Sequence, residues 1–125
     1  MEGLYDTNIE QIILSETNIK EIPSNINKFH NLKHFCSEEC KIRKLSGDFC
    51  DELIYLEHMG LDNNRISEFP NNFGKNLINL TLLSLRHNKL DKIPNGFSNL
   101  INLLEIDLSY NNIKIIPGSK KEQIY

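Results

Sequence analysis

Leu80-Thr81-Leu82-Leu83-Ser84-Leu85-Arg86-His87-Asn88-Lys89-Leu90-Asp91-Lys92-Ile93-Pro94 is the stretch that decides the fold. Counting from Leu80, apolar residues fall at slots 1, 4, 6, 11 and 14, with Asn at slot 9 and Pro at slot 15. The same spacing runs through Leu56, Met59, Leu61, Asn64, Ile66, Phe69 and Pro70, and again through Leu103, Ile106, Leu108, Asn111, Ile113, Ile116 and Pro117. Two looser copies lie upstream. One is Ile9, Ile12, Leu14, Thr17, Ile19, Ile22 and Pro23; the other is Leu32, Phe35, Ser37, Cys40, Ile42 and Leu45. The five copies start at residues 9, 32, 56, 80 and 103, so the period is 23 or 24 residues. A fixed period of that length marks an array of coils, each of which buries its apolar side only against its neighbours.

Within a repeat, slots 4 and 6 alternate with polar neighbours, as in Leu83-Ser84-Leu85. That is the period-two pattern of a short, half-buried strand, and stacked repeats then predict five parallel strands about 4.8 Å apart. At slot 9 the chain turns out of the strand and leaves backbone groups without ladder partners. Asn64, Asn88 and Asn111 suit this place because an amide side chain both donates and accepts. Thr17 and Cys40 occupy the same slot and fit it less well, which predicts less rigid first and second repeats. Pro at slot 15 fixes φ at the start of an outer segment. Slot 18 then stacks Ile26, Phe49, Phe73 and Phe97, in Asn-, Ser- and Gly-rich sequence suited to turns, 3₁₀ pieces or a brief helix. An outer segment wider than the strand bends the stack, with the strands on the concave side.

A chain of 125 residues is expected to form one domain, 1–125, with residues 118–125 as a tail or makeshift cap. No apolar stretch is long enough for a transmembrane helix, and the start shows no signal-peptide pattern. Cys36, Cys40 and Cys50 are odd in number and read as reduced thiols, which points to the cytoplasm. Asn79-Leu80-Thr81 matches a glycosylation sequon, but Leu80 is a core slot and the match reads as coincidence.

Over residues 9–117 the chain resembles the leucine-rich-repeat superfamily, and its Ile-Pro endings resemble the 23-residue class of intracellular, Ras-associated signalling scaffolds. The Gly-x-Ile-Pro form of plant receptors is absent. The resemblance implies an α/β curved solenoid with strands on the concave face and turns, 3₁₀ pieces or short helices on the convex face. It also implies protein binding through the concave face. Fold alone names no partner.

Slots 2, 3, 5, 7 and 8 should face solvent on the concave side. They carry Glu10, Glu16, Glu38, Glu39, Glu57, Asp62, Glu105 and Asp107 against Lys33 and Arg86, eight acids to two bases, or −6. The rest of the chain, with nine acids and twelve bases, carries +3. The acidic excess is therefore on one face, which predicts a groove for a basic or mixed-charge protein surface. Nucleic acid is disfavoured there, because phosphates need a basic stripe. His34 and His58 share slot 3, and with His87 they would reduce the acidic excess on protonation near pH ~6.5. Tyr110 and Arg86 are residue types favoured as interface anchors.

His34, His58, Cys36 and Glu57 could be neighbours, but no zinc-ligand spacing accompanies them, so no metal is expected. Cys36 has acids around it that would raise its pKa, and no oxyanion donor or phosphate loop is visible. No catalytic residue and no cofactor follow. The expected function is a non-enzymatic adaptor. The alternatives are self-association, as a homodimer through uncapped terminal repeats, or a decoy of host signalling repeats.

Overall fold

The structure, a computed structural model, describes residues 8–114. Ile116, Pro117 and the proposed cap at 118–125 lie outside the described residues. Strands β1 (Gln11–Ile13), β2 (His34–Cys36), β3 (His58–Gly60), β4 (Leu82–Ser84) and β5 (Glu105–Asp107) form one parallel sheet in chain order. Each strand covers slots 3–5 of its repeat. The register pairs Ile12 with Phe35, Phe35 with Met59, Met59 with Leu83 and Leu83 with Ile106, so slot 4 stacks on slot 4 throughout.

The ladder runs past the three-residue strands. Leu61 N–H donates to the Ser84 carbonyl and Leu85 N–H to the Asp107 carbonyl, both at 2.8 Å, which places Leu61, Leu85 and Leu108 on successive rungs. Slot 8 closes the ladder: Asn63 N–H donates to the Arg86 carbonyl at 2.9 Å and His87 N–H to the Ser109 carbonyl at 3.0 Å. There the backbone takes a left-handed φ of 59° in every coil, at Glu16, Glu39, Asn63, His87 and Tyr110. Of these only Asn63 and His87 are types enriched in that region.

Slot 9 does what its residue types suggest. Asn64 accepts from Cys40 N–H and Ile42 N–H, both at 3.0 Å, and donates to the Ser37 and Leu61 carbonyls. Asn88 accepts from Ile66 N–H and donates to the Leu61 and Leu85 carbonyls. Asn111 repeats the pattern with Leu90 N–H and the Leu85 and Leu108 carbonyls. Cys40 does part of this job: its buried thiol lies 2.8 Å from the Leu14 carbonyl. It offers Thr17 and Ser37 only a weak sulfur acceptor, and their hydroxyls approach it at 3.4 and 3.5 Å.

The outer segments are turns, with 3₁₀ pieces at Ser24–Lys28 and Asn95–Asn99; no α-helix occurs among the described residues. The slot-15 carbonyl accepts from slot-18 N–H in each: Pro23 from Ile26, Pro70 from Phe73, Pro94 from Phe97. Ser46 does the same for Phe49 in the coil that lacks proline, so the acceptor, not the ring, is the shared requirement. Leu32, Leu56 and Leu80 at slot 1 are fully buried, as are Ile42, Ile66 and Leu90 at slot 11. Ile9, Ile12, Leu14 and Leu103, Ile106, Ile113 are only partly buried, because an end coil has a described neighbour on one side only.

Candidate functional site

Slots 3 and 5 alternate with the core residue at slot 4, so their side chains share the open face of the sheet. His34 and His58 are Cα partners, with ring centroids 4.5 Å apart, edge to face. They border a shallow depression of about 320 Å³ that also touches Gln11, Ile13, Glu38 and Ser84. Its floor differs from expectation at one point. Gly60, placed on the solvent side by its slot, is buried, because Glu38 and Cys36 fold over it: a Cβ there would lie 3.0 Å from Glu38 Oε2 and 3.2 Å from Cys36 Sγ.

Acids crowd at this end of the face. Partial burial, then the charges of Asp62 and Glu39, push the Glu38 carboxyl above its ordinary pKa. Burial, then Glu38 and Asp62, push the Cys36 thiol up as well. This keeps Cys36 a neutral thiol and a poor nucleophile. Asp62 is tied to the next coil: its Oδ1 accepts from Ser84 Oγ at 2.6 Å and from Arg86 N–H at 2.9 Å. Asp107 is held below the usual carboxylate range by the hydroxyl and N–H of Ser109, opposed by burial and aided by Arg86. Both aspartates thus serve the sheet as well as the surface, a role invisible in the repeat pattern.

At the other end, the Arg86 guanidinium sits 4.6 Å from the centre of the Tyr110 ring. His87 stacks on the same ring at 4.3 Å and 7°. The structure therefore gathers the sequence candidates into two groups. One is His34, His58, Glu38, Glu39 and Asp62; the other is Arg86, His87, Asp107 and Tyr110. Glu16, Glu57 and Glu105 lie on the same face, exposed or half-buried, outside both sets of contacts. Among the described residues no three His, Cys, Asp or Glu side chains are grouped as a metal site requires.

Sequence reasoning passed over the rim that enters the strands. Ile54, Ile78 and Ile101 are exposed along it, and the Ile54 and Ile78 carbonyls accept from the Asn79 and Asn102 side chains. Asn79 and Thr81, the sequon residues, both have structural partners: Asn79 donates to the Ile54 carbonyl at 2.7 Å and Thr81 to the Glu57 carbonyl at 3.2 Å. The signal was present in the sequence as Asn just ahead of slot 1 in four repeats (Asn8, Asn31, Asn79, Asn102) and Ile one place earlier in the last three.

Glu38 carries a pH signature. With its folded-state pKa raised, it binds a proton more readily in the fold than in the unfolded chain. Its charged form therefore opposes folding above the ordinary carboxylate range, and that cost fades as pH falls through the raised value. Asp107 acts in the opposite sense, contributing stability that is lost as pH falls through its lowered value. Glu38→Gln should raise the melting temperature near neutral pH and give no gain below about pH 3, where the Glu38 carboxyl is itself protonated. An equal gain at both pH values would contradict the charge crowding.

A family model for the leucine rich repeat matches residues 54–113. No curated protein matches the chain. Among solved structures, the leucine-rich repeat domain of APL1B is 26% identical with a TM-score of 0.79, covering 86% of this chain and 33% of that one. The Leptospira interrogans LRR protein LIC12759 is 23% identical with a TM-score of 0.75, covering 84% of this chain and 32% of that one. A chain of the Drosophila Toll–Spatzle complex is 19% identical with a TM-score of 0.68, covering 84% of this chain and 18% of that one. The chain thus spans about a third or less of the length of these proteins. The five parallel strands and these neighbours agree on a curved solenoid with the sheet on its concave face. Among the described residues no helix is long and apolar enough to cross a membrane.

Proposed function

The chain is a leucine-rich-repeat protein, and from that premise we propose that it is an adaptor whose acidic concave face takes a basic or mixed-charge surface of a partner protein. Leucine-rich-repeat domains generally mediate protein–protein interaction and are typically non-enzymatic binding modules. The Toll–Spatzle structure is itself a complex.

The observation that carries the finer reading is the crowding of Glu38, Glu39 and Asp62, none of which forms an ion pair among the described residues. Like charges held together cost stability, and a partner's Lys or Arg would relieve that cost on docking. Charge also steers the encounter, so the on-rate should fall with ionic strength. The stacked Arg86, His87 and Tyr110 supply the aromatic and guanidinium surface that interfaces favour. We assign the repeats to the intracellular Ile-Pro class and the chain to the cytoplasm. The thiol of Cys40 supports a reducing compartment, because it is spent as a hydrogen-bond donor to Leu14, a use that oxidation would remove.

The test is a charge reversal at Glu38→Lys, Glu39→Lys and Glu57→Lys, leaving Asp62 in place because it holds Ser84 and Arg86. A partner captured on the wild-type chain, then purified, should bind the variant roughly tenfold or more weakly in calorimetry. Unchanged affinity would refute the acidic-face reading.

A further inference from the structure

Beyond the concave face, the coils carry a second charged surface of opposite sign. Slot 10, just past the asparagine column, holds Lys41, Arg65 and Lys89 in the three middle coils. All three side chains are exposed. The backbone holds Arg65 and Lys89 in register, with Arg65 N–H donating to the Ile42 carbonyl and Lys89 N–H to the Ile66 carbonyl, both at 2.8 Å, whereas Lys41 takes a left-handed φ of 66°. The next coil's asparagine pins each position as well. Asn64 Oδ1 accepts from the amides on both sides of Lys41, Asn88 Oδ1 from Ile66 beside Arg65, and Asn111 Oδ1 from Leu90 beside Lys89. Three basic residues thus follow one another on successive coils, whose backbones lie about 4.8 Å apart at the sheet.

None of the three joins an ion pair among the described residues; the pairs there are His30 with Glu52 and Lys33 with Glu10. Lys41 and Arg65 flank an open polar depression of about 460 Å³, lined also by Glu39, Asn63 and Asn64. Arg43, Lys44 and Lys92, all exposed, add charge two or three residues further along the coils, against Glu68 and Asp91. The left-handed turn at slot 8 separates this row from the acidic face, with Glu39 at the border.

We propose that Lys41, Arg65 and Lys89 form a cationic rail that binds an extended acidic peptide segment of a partner protein. The row is the width of one side chain per rung, which suits a single strand lying along the stack. In an extended chain alternate side chains repeat every ~6.6 Å, within reach of flexible Lys and Arg stems. The acids just across slot 8 argue against a polyphosphate partner. A nucleic acid or an anionic membrane presents negative charge over a broad area and would meet Glu38, Glu39 and Asp62 while touching the rail. A peptide with carboxylates on one side meets the rail alone. The rail is independent of the concave-face reading and can succeed or fail without it.

The test uses a fluorescent oligoglutamate peptide as probe for the rail and a fluorescent oligolysine peptide as probe for the concave face, followed by anisotropy at low ionic strength. The intact chain should bind both. The triple variant Lys41→Glu, Arg65→Glu, Lys89→Glu should bind oligoglutamate roughly tenfold or more weakly and oligolysine at least as well as before. The concave variant described above should show the reverse pattern. A second rail variant with glutamine at the three positions guards against misfolding, and should lose oligoglutamate while keeping oligolysine. Oligoglutamate binding that is absent in the intact chain, or unchanged in the rail variants, would overturn the rail. So would tighter, rail-dependent binding of single-stranded DNA or of phosphatidylserine vesicles, which would make the partner a phosphate surface.

Discussion

Phe73→Ala lowers the free energy of unfolding by about 3–5 kcal/mol. Phe73 is 1% exposed and sits where three outer segments meet. Its ring stacks on Phe49 at 5.9 Å and packs against Phe69 at 4.7 Å and Phe97 at 5.8 Å. Phe49 and Phe97 belong to the coils on either side, so removing the central ring opens a cavity shared between coils. A short outer turn, held by bonds such as Phe73 N–H to the Pro70 carbonyl, has little freedom to collapse into that space. Urea denaturation checks the loss, with Lys89→Ala as the exposed control expected to change stability by less than about 0.5 kcal/mol. A loss at Phe73 no larger than the control's would mean that the outer segments share no packed core.

Asn88→Ala should cost about 1–3 kcal/mol, a polar effect approaching the apolar one. Asn88 is 4% exposed and serves three backbone groups: Ile66 N–H at 3.0 Å and the Leu61 and Leu85 carbonyls at 2.9 and 3.1 Å. Alanine leaves Ile66 N–H buried without a partner, at a cost of about 1–3 kcal/mol, while the Leu61 and Leu85 carbonyls each lose one of two donors and keep Asn64 and Asn111. Asn88→Asp retains the acceptor but replaces the donor with a buried carboxylate, so it should fall no higher than alanine near neutral pH. Denaturation of both variants decides this, and a loss below about 1 kcal/mol for alanine would show that water or the backbone itself satisfies the turn.

These two residues also show what was legible in the sequence. The apolar slots and the asparagine slot recur at a fixed spacing, and a repeat lets each coil vouch for the others. Register, strand position and core followed from that spacing. The left-handed backbone at slot 8 did not, because Glu16, Glu39 and Tyr110 are not residues that announce it. The chain adopts it there because the ladder and the asparagine bonds on either side over-determine the turn. Gly60 looked exposed by slot, but the long side chain of Glu38 covers it, a matter of rotamers. Asp62 and Asp107 read as surface charges, yet each accepts hydrogen bonds from serine and backbone nearby. The cationic row was present in sequence as the +3 left after the acidic face was counted. Its alignment became visible only once the amides of Arg65 and Lys89 were seen on successive rungs.

Cross-strand nuclear Overhauser contacts between backbone protons test the central claim, a single parallel register of coils, most directly. Phe35, Met59, Leu83 and Ile106 should each contact the neighbouring strand at their Cα partners, in the sequential-amide pattern of parallel strands, and Leu61 and Leu85 should continue the same series. Contacts displaced by one residue, or close Hα–Hα pairs of the antiparallel kind, would contradict it. The acidic face and the cationic rail would then lose their common alignment.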